Sequence, residues 1–496
     1  MNKIFALFVF ITIGTSLLGQ SLPANVPPAF SAIREVELRK DIFELAGDGF
    51  RGRRAGTLDE MRAAVWVAQK AREAGLKPAG EDGTYFQFFN INRTRTADRS
   101  TVYINEQKVA IWKDCWPVQP QDNFIDGAVI WLNSMADTTQ DLQGKTIAMK
   151  IVAPNPMPAK GISLSGYRYT ALAVRQLSMA LQRKGVKAIL LVADDVVESA
   201  LPFAGHNYES GTYQVPVPGL YASINTGVKP LPIILLRSSY GDQLKTKATV
   251  KINLIFETFQ YPSVNVVAKA VGADPKFSGE YVLFSGHHDH DGIGNPINQD
   301  SIWNGADDNA SVTVAMLAIG RAWNAKPGKR SALFVWHGAE ERGLLGSRWY
   351  TAHPTVNREA IVAVLNGDMI GRNSPDSAAL LGTLPPHKNS TELVEMAMRA
   401  NEKFTHFKVD FSWDDPKHPE GWYFRSDHLP YAQAGIPAIF FTTLLHSDYH
   451  TPLDEPQRID IQKLTKMTKW MYATGWIVSQ TKQKPSMDLI KNKTSN

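Results

Sequence analysis

Apolar residues along the chain follow three different rhythms. Between Leu58 and Gly75, residues Met61, Val65, Ala68 and Ala71 recur at helical spacing, with Gly75 as a stop and Pro78 beyond it, which predicts an amphipathic helix. From Val109 to Phe259 the apolar runs shorten to strand length, at 147–152, 188–192 and 233–236. Pro- and Gly-rich clusters such as Ala153-Pro154-Asn155-Pro156-Met157-Pro158 separate them. This stretch reads as a small β-rich unit. From Ser263 to Ser479, strand-length runs at 281–285, 332–336, 361–365 and 438–442 alternate with helix-length runs at 311–323, 391–404 and 461–477. Strands that are apolar throughout must be covered on both faces, so this part predicts an α/β sheet covered by helices on both faces.

The ends have another texture. Lys3 followed by the apolar stretch Ile4 to Leu18 and the small residues around Gly19 is the pattern of a cleaved export signal, and the stretch is short for a membrane span. The expected division is therefore a signal at 1–20, the first part of the main unit at 29–108, the β-rich insert at 109–259, the rest of the main unit at 260–481 and a polar tail at 482–496. An exported protein without a stable membrane anchor follows.

Composition removes several functions. With 53 Lys and Arg against 48 Asp and Glu and no basic run, the net charge of +5 gives no footprint for nucleic acid. One cysteine, Cys115, excludes an internal disulfide framework and a Cys-rich zinc site, so any metal must sit on His, Asp and Glu.

Those residues are concentrated. Of 12 histidines only His206 precedes Gly286. The strand at 281–285 runs into Gly286-His287-His288-Asp289-His290-Asp291, where His287 and Asp289 point the same way and can form a carboxylate–histidine–metal relay. Asn304-Gly305-Ala306-Asp307-Asp308-Asn309 stands ahead of a helix, and its carboxylates exceed what a helix cap requires. The strand at 332–336 delivers Glu340 and Glu341, of which one can bind a metal while the other acts as a base. Asp368 follows the strand at 361–365, and Tyr449-His450-Thr451-Pro452 follows the strand at 438–442. Two histidines and at least three carboxylates at successive strand ends are the donor set of a two-zinc hydrolase.

In order and spacing, His-x-Asp, Gly-Ala-Asp-Asp-Asn-Ala-Ser, Ala-Glu-Glu-x-Gly, Asn-x-Asp-Met, Ser-Asp-His and Tyr-His-Thr-Pro resemble the M28 family of zinc aminopeptidases, over roughly 45–75 and 263–477. The resemblance implies a phosphorylase/hydrolase-like three-layer α/β sandwich with a mixed central sheet. The middle stretch is similar to a protease-associated (PA) insert, through Gly144-Lys145-Thr146-Ile147 and Gly185-Val186-Lys187-Ala188-Ile189. Carried over residue by residue, it implies two Zn2+ ions bridged by Asp307, with His287 and Asp368 on one and Glu341 and His450 on the other. Asp289 supports His287, Glu340 is the general base, and Asp308 is joined to the bridging aspartate by a cis peptide bond. Tyr423 matches a tyrosine that stabilises the oxyanion. The implied substrates are peptides with a free N-terminus. The oligomeric state is not written in these motifs.

Three other readings compete. A dipeptidase, carboxypeptidase or glutaminyl cyclase of the same superfamily shares the scaffold, and a carboxypeptidase would need Arg372 or Arg425 for the substrate carboxylate. A non-catalytic binding ectodomain would be expected to have lost ligands. A serine hydrolase lacks its Gly-x-Ser-x-Gly elbow here.

Overall fold

The computed structural model describes residue 27, residues 29–135, 137, 141–155, 157, 164–217 and 231–488. The expected signal at 1–20 lies outside the described residues, as does most of the expected tail.

In chain order, helices α1 (Glu35–Leu45) and α2 (Leu58–Glu73) lead into strand β1 (Phe86–Thr96). A second group follows: β2 (Asn123–Leu132), β3 (Thr146–Lys150), α3 (Ser165–Gln182), β4 (Ala188–Val192), α4 (Asp195–Ser210) and β5 (Ile233–Leu236). The long strand β6 (Phe256–Ala270) returns the chain to β1. It is succeeded by β7 (Tyr281–His287), α5 (Ser311–Ala325), β8 (Ser331–His337), β9 (Ile361–Gly367), β10 (Ala438–Thr442) and α6 (Ile461–Gln480).

Helix α2 forms where the spacing predicts it. Thr57 caps its start by accepting the Asp59 amide, and Gly75 beyond its end has φ +79°. Its buried face differs from the expectation, because Val65 is exposed while Glu60, Ala64, Val67, Ala68 and Ala71 are inside. Glu60 turns the helix this way: its carboxylate accepts from the Gly56 amide and from Ser263 Oγ.

Ten strands form the larger sheet. Its main path runs Lys408–Asp410, Ser377–Leu381, β10, β9, β7, β8, β6, β1, Thr212–Gln214. The central strands β7, β8, β9 and β10 are parallel, while β6 and β1 are antiparallel to their neighbours. Alternation along the strands separates two cores. Val282 and Phe284 pack with α5 and α6 on one face, whereas Leu283, Leu333 and Val364 pack with Tyr350 and Tyr431 on the other. This is the expected three-layer α/β sandwich around a mixed sheet.

Eight strands form the smaller sheet, with β2, β3, β4 and β5 parallel at its centre. The middle stretch is less exclusively β than its Pro and Gly clusters suggest. Helices α3 and α4 cover one face, burying Tyr169, Ala173, Val174, Leu177, Leu181, Val197 and Leu201. The smaller sheet is joined to the larger one at several points. Strand β6 runs continuously through the expected boundary at residue 259, Thr212–Gln214 pairs with β1, and Phe203 of α4 stacks on Trp303 at 5.4 Å.

Candidate metal centre

Four parallel strands reach the same edge of the larger sheet, and the residues just beyond their C-terminal ends converge there, where ligands of open α/β sheets gather. Strand β7 ends on His287, the loop after β8 supplies Glu340 and Glu341, Asp368 follows β9, and the loop after β10 supplies His450. Two groups of donors result. One contains His287, Glu340 and Asp368; the other contains His290, Asp308, Glu341 and His450.

Asp308 joins them. Its Oδ1 lies 3.3 Å from His287 Nε2, and its Oδ2 lies 3.1 Å from His450 Nε2. His287 Nε2 is 3.6 Å from Asp368 Oδ2 and 3.8 Å from Glu340 Oε2, and His450 Nε2 is 3.2 Å from Glu341 Oε2.

The expected bridge, Asp307, is in neither group. Its Oδ1 accepts from the Gly371 amide at 2.6 Å, its Oδ2 faces His446 Nε2 at 3.4 Å, and its backbone oxygen accepts from Ser311 Oγ. Asp454 fixes this turn by accepting from the amides of both Asp307 and Asp308. The two carboxylates therefore face opposite ways, and it is Asp308 that enters the cluster. The cis peptide bond likewise falls one residue later than expected, between Asp308 and Asn309.

Asp289 supports the site differently from the simple relay. His287 Nδ1 lies 3.1 Å from the backbone oxygen of Asp289 and 3.7 Å from its carboxylate. That carboxylate accepts from the amides of Glu340 and Glu341 at 3.0 and 3.4 Å, and so anchors the loop carrying both glutamates. Asp291 has the role on the second group that was expected of Asp289 on the first: its Oδ2 lies 3.1 Å from His450 Nδ1, and Arg342 pairs with its Oδ1.

Tyr423 is displaced from the expected place. Its ring stacks on His387 at 4.1 Å and packs against His428. A cavity of about 270 Å³ opens over the two groups, lined by Asp308, Glu340, Glu341, Asp368 and His450 together with Trp422, Phe424, Arg425 and Tyr449. The phenol among these lining residues is Tyr449, whose oxygen accepts from Arg425 Nη2 at 2.9 Å. Arg372, the other cation considered at the sequence level, pairs with Asp448 at 2.5 Å.

Beneath the site, Arg53 is fully buried and gives its guanidinium to the backbone oxygens of His288, Asn304, Gly305 and Leu45. One side chain thus ties the loop after β7 to the turn that carries Asp308. Asp291 and Asp454 lie outside the motif positions, Arg53 stands in the run Gly52-Arg53-Arg54-Ala55-Gly56-Thr57 that resembles the family's N-terminal segment, and the sequence signals nothing of their partners.

Burial sets the electrostatics. It pushes Glu340 well above the usual carboxylate range, with Glu341, Asp427 and Asp368 adding to it against the pull of His287. Asp368 and Asp289 are each raised to about 6, again first by burial. Asp308 goes the other way, because His287 and His450 outweigh its burial.

The residues fit the binding of divalent metal. His287 Nε2, His290 Nε2 and Asp368 Oδ1 are buried without hydrogen-bond partners, and the donors combine imidazoles with carboxylates in the mixture that suits zinc.

Parts of the sequence and the fold are shared with known proteins. The model of peptidase family M28 matches residues 265–474. Aminopeptidase YwaD of Bacillus subtilis is 30% identical over 189 residues, which are 36% of this chain and 39% of that protein. Leupeptin-inactivating enzyme 1 of Streptomyces exfoliatus is 32% identical over 180 residues, 35% of this chain and 34% of that protein. The chain thus spans well under half of these two curated relatives. In three dimensions it is similar to an aminopeptidase from Aneurinibacillus sp. strain AM-1, with a TM-score of 0.56 at 18% identity, covering 93% of this chain and 96% of that one. A zinc aminopeptidase from Bacillus subtilis gives 0.56 at 19%, covering 91% and 97%, and at these identities both likenesses speak for the fold. The segment matched by the family M28 model spans β7 to β10 and every donor named above, so in this part the chain is similar to the metallopeptidases of that family.

Proposed function

We propose that this chain is an exported aminopeptidase that binds two zinc ions and removes N-terminal residues from peptides. One observation carries the reading: two donor groups meet at the two oxygens of Asp308 while Glu340, raised by burial, stands beside them in a cavity open to substrate.

Zinc held by His287, Asp308 and Asp368 on one side and by Asp308, Glu341 and His450 on the other would supply Lewis acidity and a water that ionises near neutral pH. The chain's own groups do the rest. Glu340 Oε2, held in place through the Asp289–amide contacts, takes a proton from the attacking water and passes it to the departing amine. Tyr449 accepts from Arg425, so its own hydroxyl proton is available to the substrate carbonyl. Glu340 and Asp368 offer negative charge to the free α-amine.

Helix α3 brings the second unit to this cavity. Arg168 pairs with Glu420, which also binds Arg425 at 3.3 Å, and Leu164 packs against the apolar cluster containing Trp422 and Tyr449. In this reading residues 109–259 form a PA-like insert that limits substrate length, and residues 1–20 are removed on export. Among the described residues no helix is long and apolar enough to cross a membrane.

A dipeptidase or carboxypeptidase is the second reading, favoured by Arg425 in the cavity, where a substrate carboxylate could pair with it. One experiment separates the two. The purified protein is incubated with an unblocked peptide and its N-acetylated twin, and the products are weighed by mass spectrometry. Shortening of only the unblocked peptide from its front is expected. Trimming from the rear would replace aminopeptidase by carboxypeptidase, and loss of ammonia from N-terminal Gln would identify a cyclase.

A further inference from the structure

We propose that His290 is a fourth protein ligand at one of the two metal positions, so that the pair is unequal. His290, Glu341 and His450 would share one position with an oxygen of Asp308, while His287 and Asp368 share the other with its second oxygen. The inference rests on the two-ion reading above.

His290 is fully buried, and neither ring nitrogen is committed outside the cluster. Nδ1 lies 2.8 Å from Glu341 Oε1, and Nε2 has no hydrogen-bond partner. One of its nitrogens lies within 4.8 Å of the donor atoms of Asp308, Glu341 and His450. A buried, unpartnered imidazole is not by itself a ligand. His288 next to it is equally buried, with both nitrogens unpartnered, and belongs to neither donor group. Position distinguishes the two.

The backbone is shaped to admit the His290 ring. Gly305 has φ +57°, and a Cβ there would lie 2.4 Å from His290 Cγ. On the other side the His290 amide donates to the Arg53 oxygen at 3.2 Å. The ring of His450 meets it edge-on, with centroids 5.4 Å apart. The run His287 to Asp291 then divides its work. His287 serves one position and His290 the other, while Asp289 anchors the loop of the two glutamates and Asp291 orients His450.

Zinc enclosed by four protein donors is a closed arrangement, whereas three protein donors leave a place for water or substrate. The position with two imidazoles should therefore retain its ion more tightly, and exchange should occur at the position of His287 and Asp368.

The test reads metal binding. Metal-free protein is titrated with Co2+, following its visible absorption, and with Zn2+ against a chromophoric chelator, for wild type, His290→Ala and His290→Gln. Two unequal steps are expected in the wild type. The tighter step should weaken at least about tenfold in both variants, with a changed absorption band. X-ray absorption of the zinc-loaded wild type provides a measurement that needs no variant. It should count about 1.5 imidazoles per zinc, against about 1.0 if His290 is unbound. Unchanged affinities and spectra in variants that fold, or a count near 1.0, would overturn the proposal and leave His290 as a hydrogen-bond donor to Glu341. Failure of the wild type to bind two ions would instead remove the two-ion reading itself.

Discussion

At their C-terminal ends the four parallel strands of the larger sheet lead to His287, Glu340 and Glu341, Asp368 and His450, whereas the four of the smaller sheet end on Leu132, Lys150, Val192 and Leu236. Strands β3, β4 and β5 are nearly as apolar and buried as β7 and β8, so hydrophobic patterning alone makes these strands equivalent. The difference lies in the few residues after each strand. In the smaller sheet a carboxylate does follow β4, but Asp194 caps α4 by accepting the Val197 amide and also accepts from Tyr169 Oη. In the larger sheet the carboxylates share partners across several loops. A strand end thus becomes reactive when its polar groups face one another, and remains structural when each is satisfied locally.

Substitutions test this contrast. The largest effect is expected for Asp308→Asn, which should abolish turnover and lower bound zinc, measured by peptide hydrolysis and elemental analysis. Glu340→Gln should reduce turnover by about 10²–10⁴-fold while leaving zinc content unchanged. Near-normal turnover would remove Glu340 from proton transfer. Asp307→Asn, beside the bridge but outside both groups, should lose about 10–100-fold in activity or metal affinity, as expected of a supporting contact. If Asp307→Asn proved more damaging than Asp308→Asn, the assignment of the bridge would be reversed. Arg425→Met should raise KM by about tenfold for short peptides with a free C-terminal carboxylate, and much less for their amides. Equal shifts for both would show that Arg425 does not meet the carboxylate. Asp194→Ala should cost about 1–3 kcal/mol of stability in a denaturant titration with no change in turnover, because it removes a helix cap and the acceptor of the Tyr169 hydroxyl.

How much of this was legible beforehand depends on the kind of signal. Strand-length apolar runs located β7 to β10 correctly, since burial on both faces leaves a continuous signature. Helices α3 and α4 were hidden by neighbouring Pro and Gly clusters, although Tyr169, Ala173, Val174, Leu177 and Leu181 do recur at helical spacing. Among the site residues, the sequence placed His287, Glu340, Glu341, Asp368 and His450 at strand ends, and the structure brings all five together. It could not separate Asp307 from Asp308. Adjacent carboxylates before a helix look alike until Asp454 and Gly371 fix which one turns inward. Tyr423 and Tyr449 posed the same difficulty, because an aromatic-rich run and a loop tyrosine do not reveal which ring reaches the cavity. His290 was obscured by crowding, since a row of five polar residues does not show which faces the cluster.

The guanidinium of Arg53 and the carboxylate of Asp454 sit at opposite ends of the chain, yet both clamp the turn that presents Asp308. During synthesis this turn can therefore be locked from both sides only after residue 454 has emerged from the ribosome. A nascent chain that stops short of Asp454 lacks one of the two clamps on this turn.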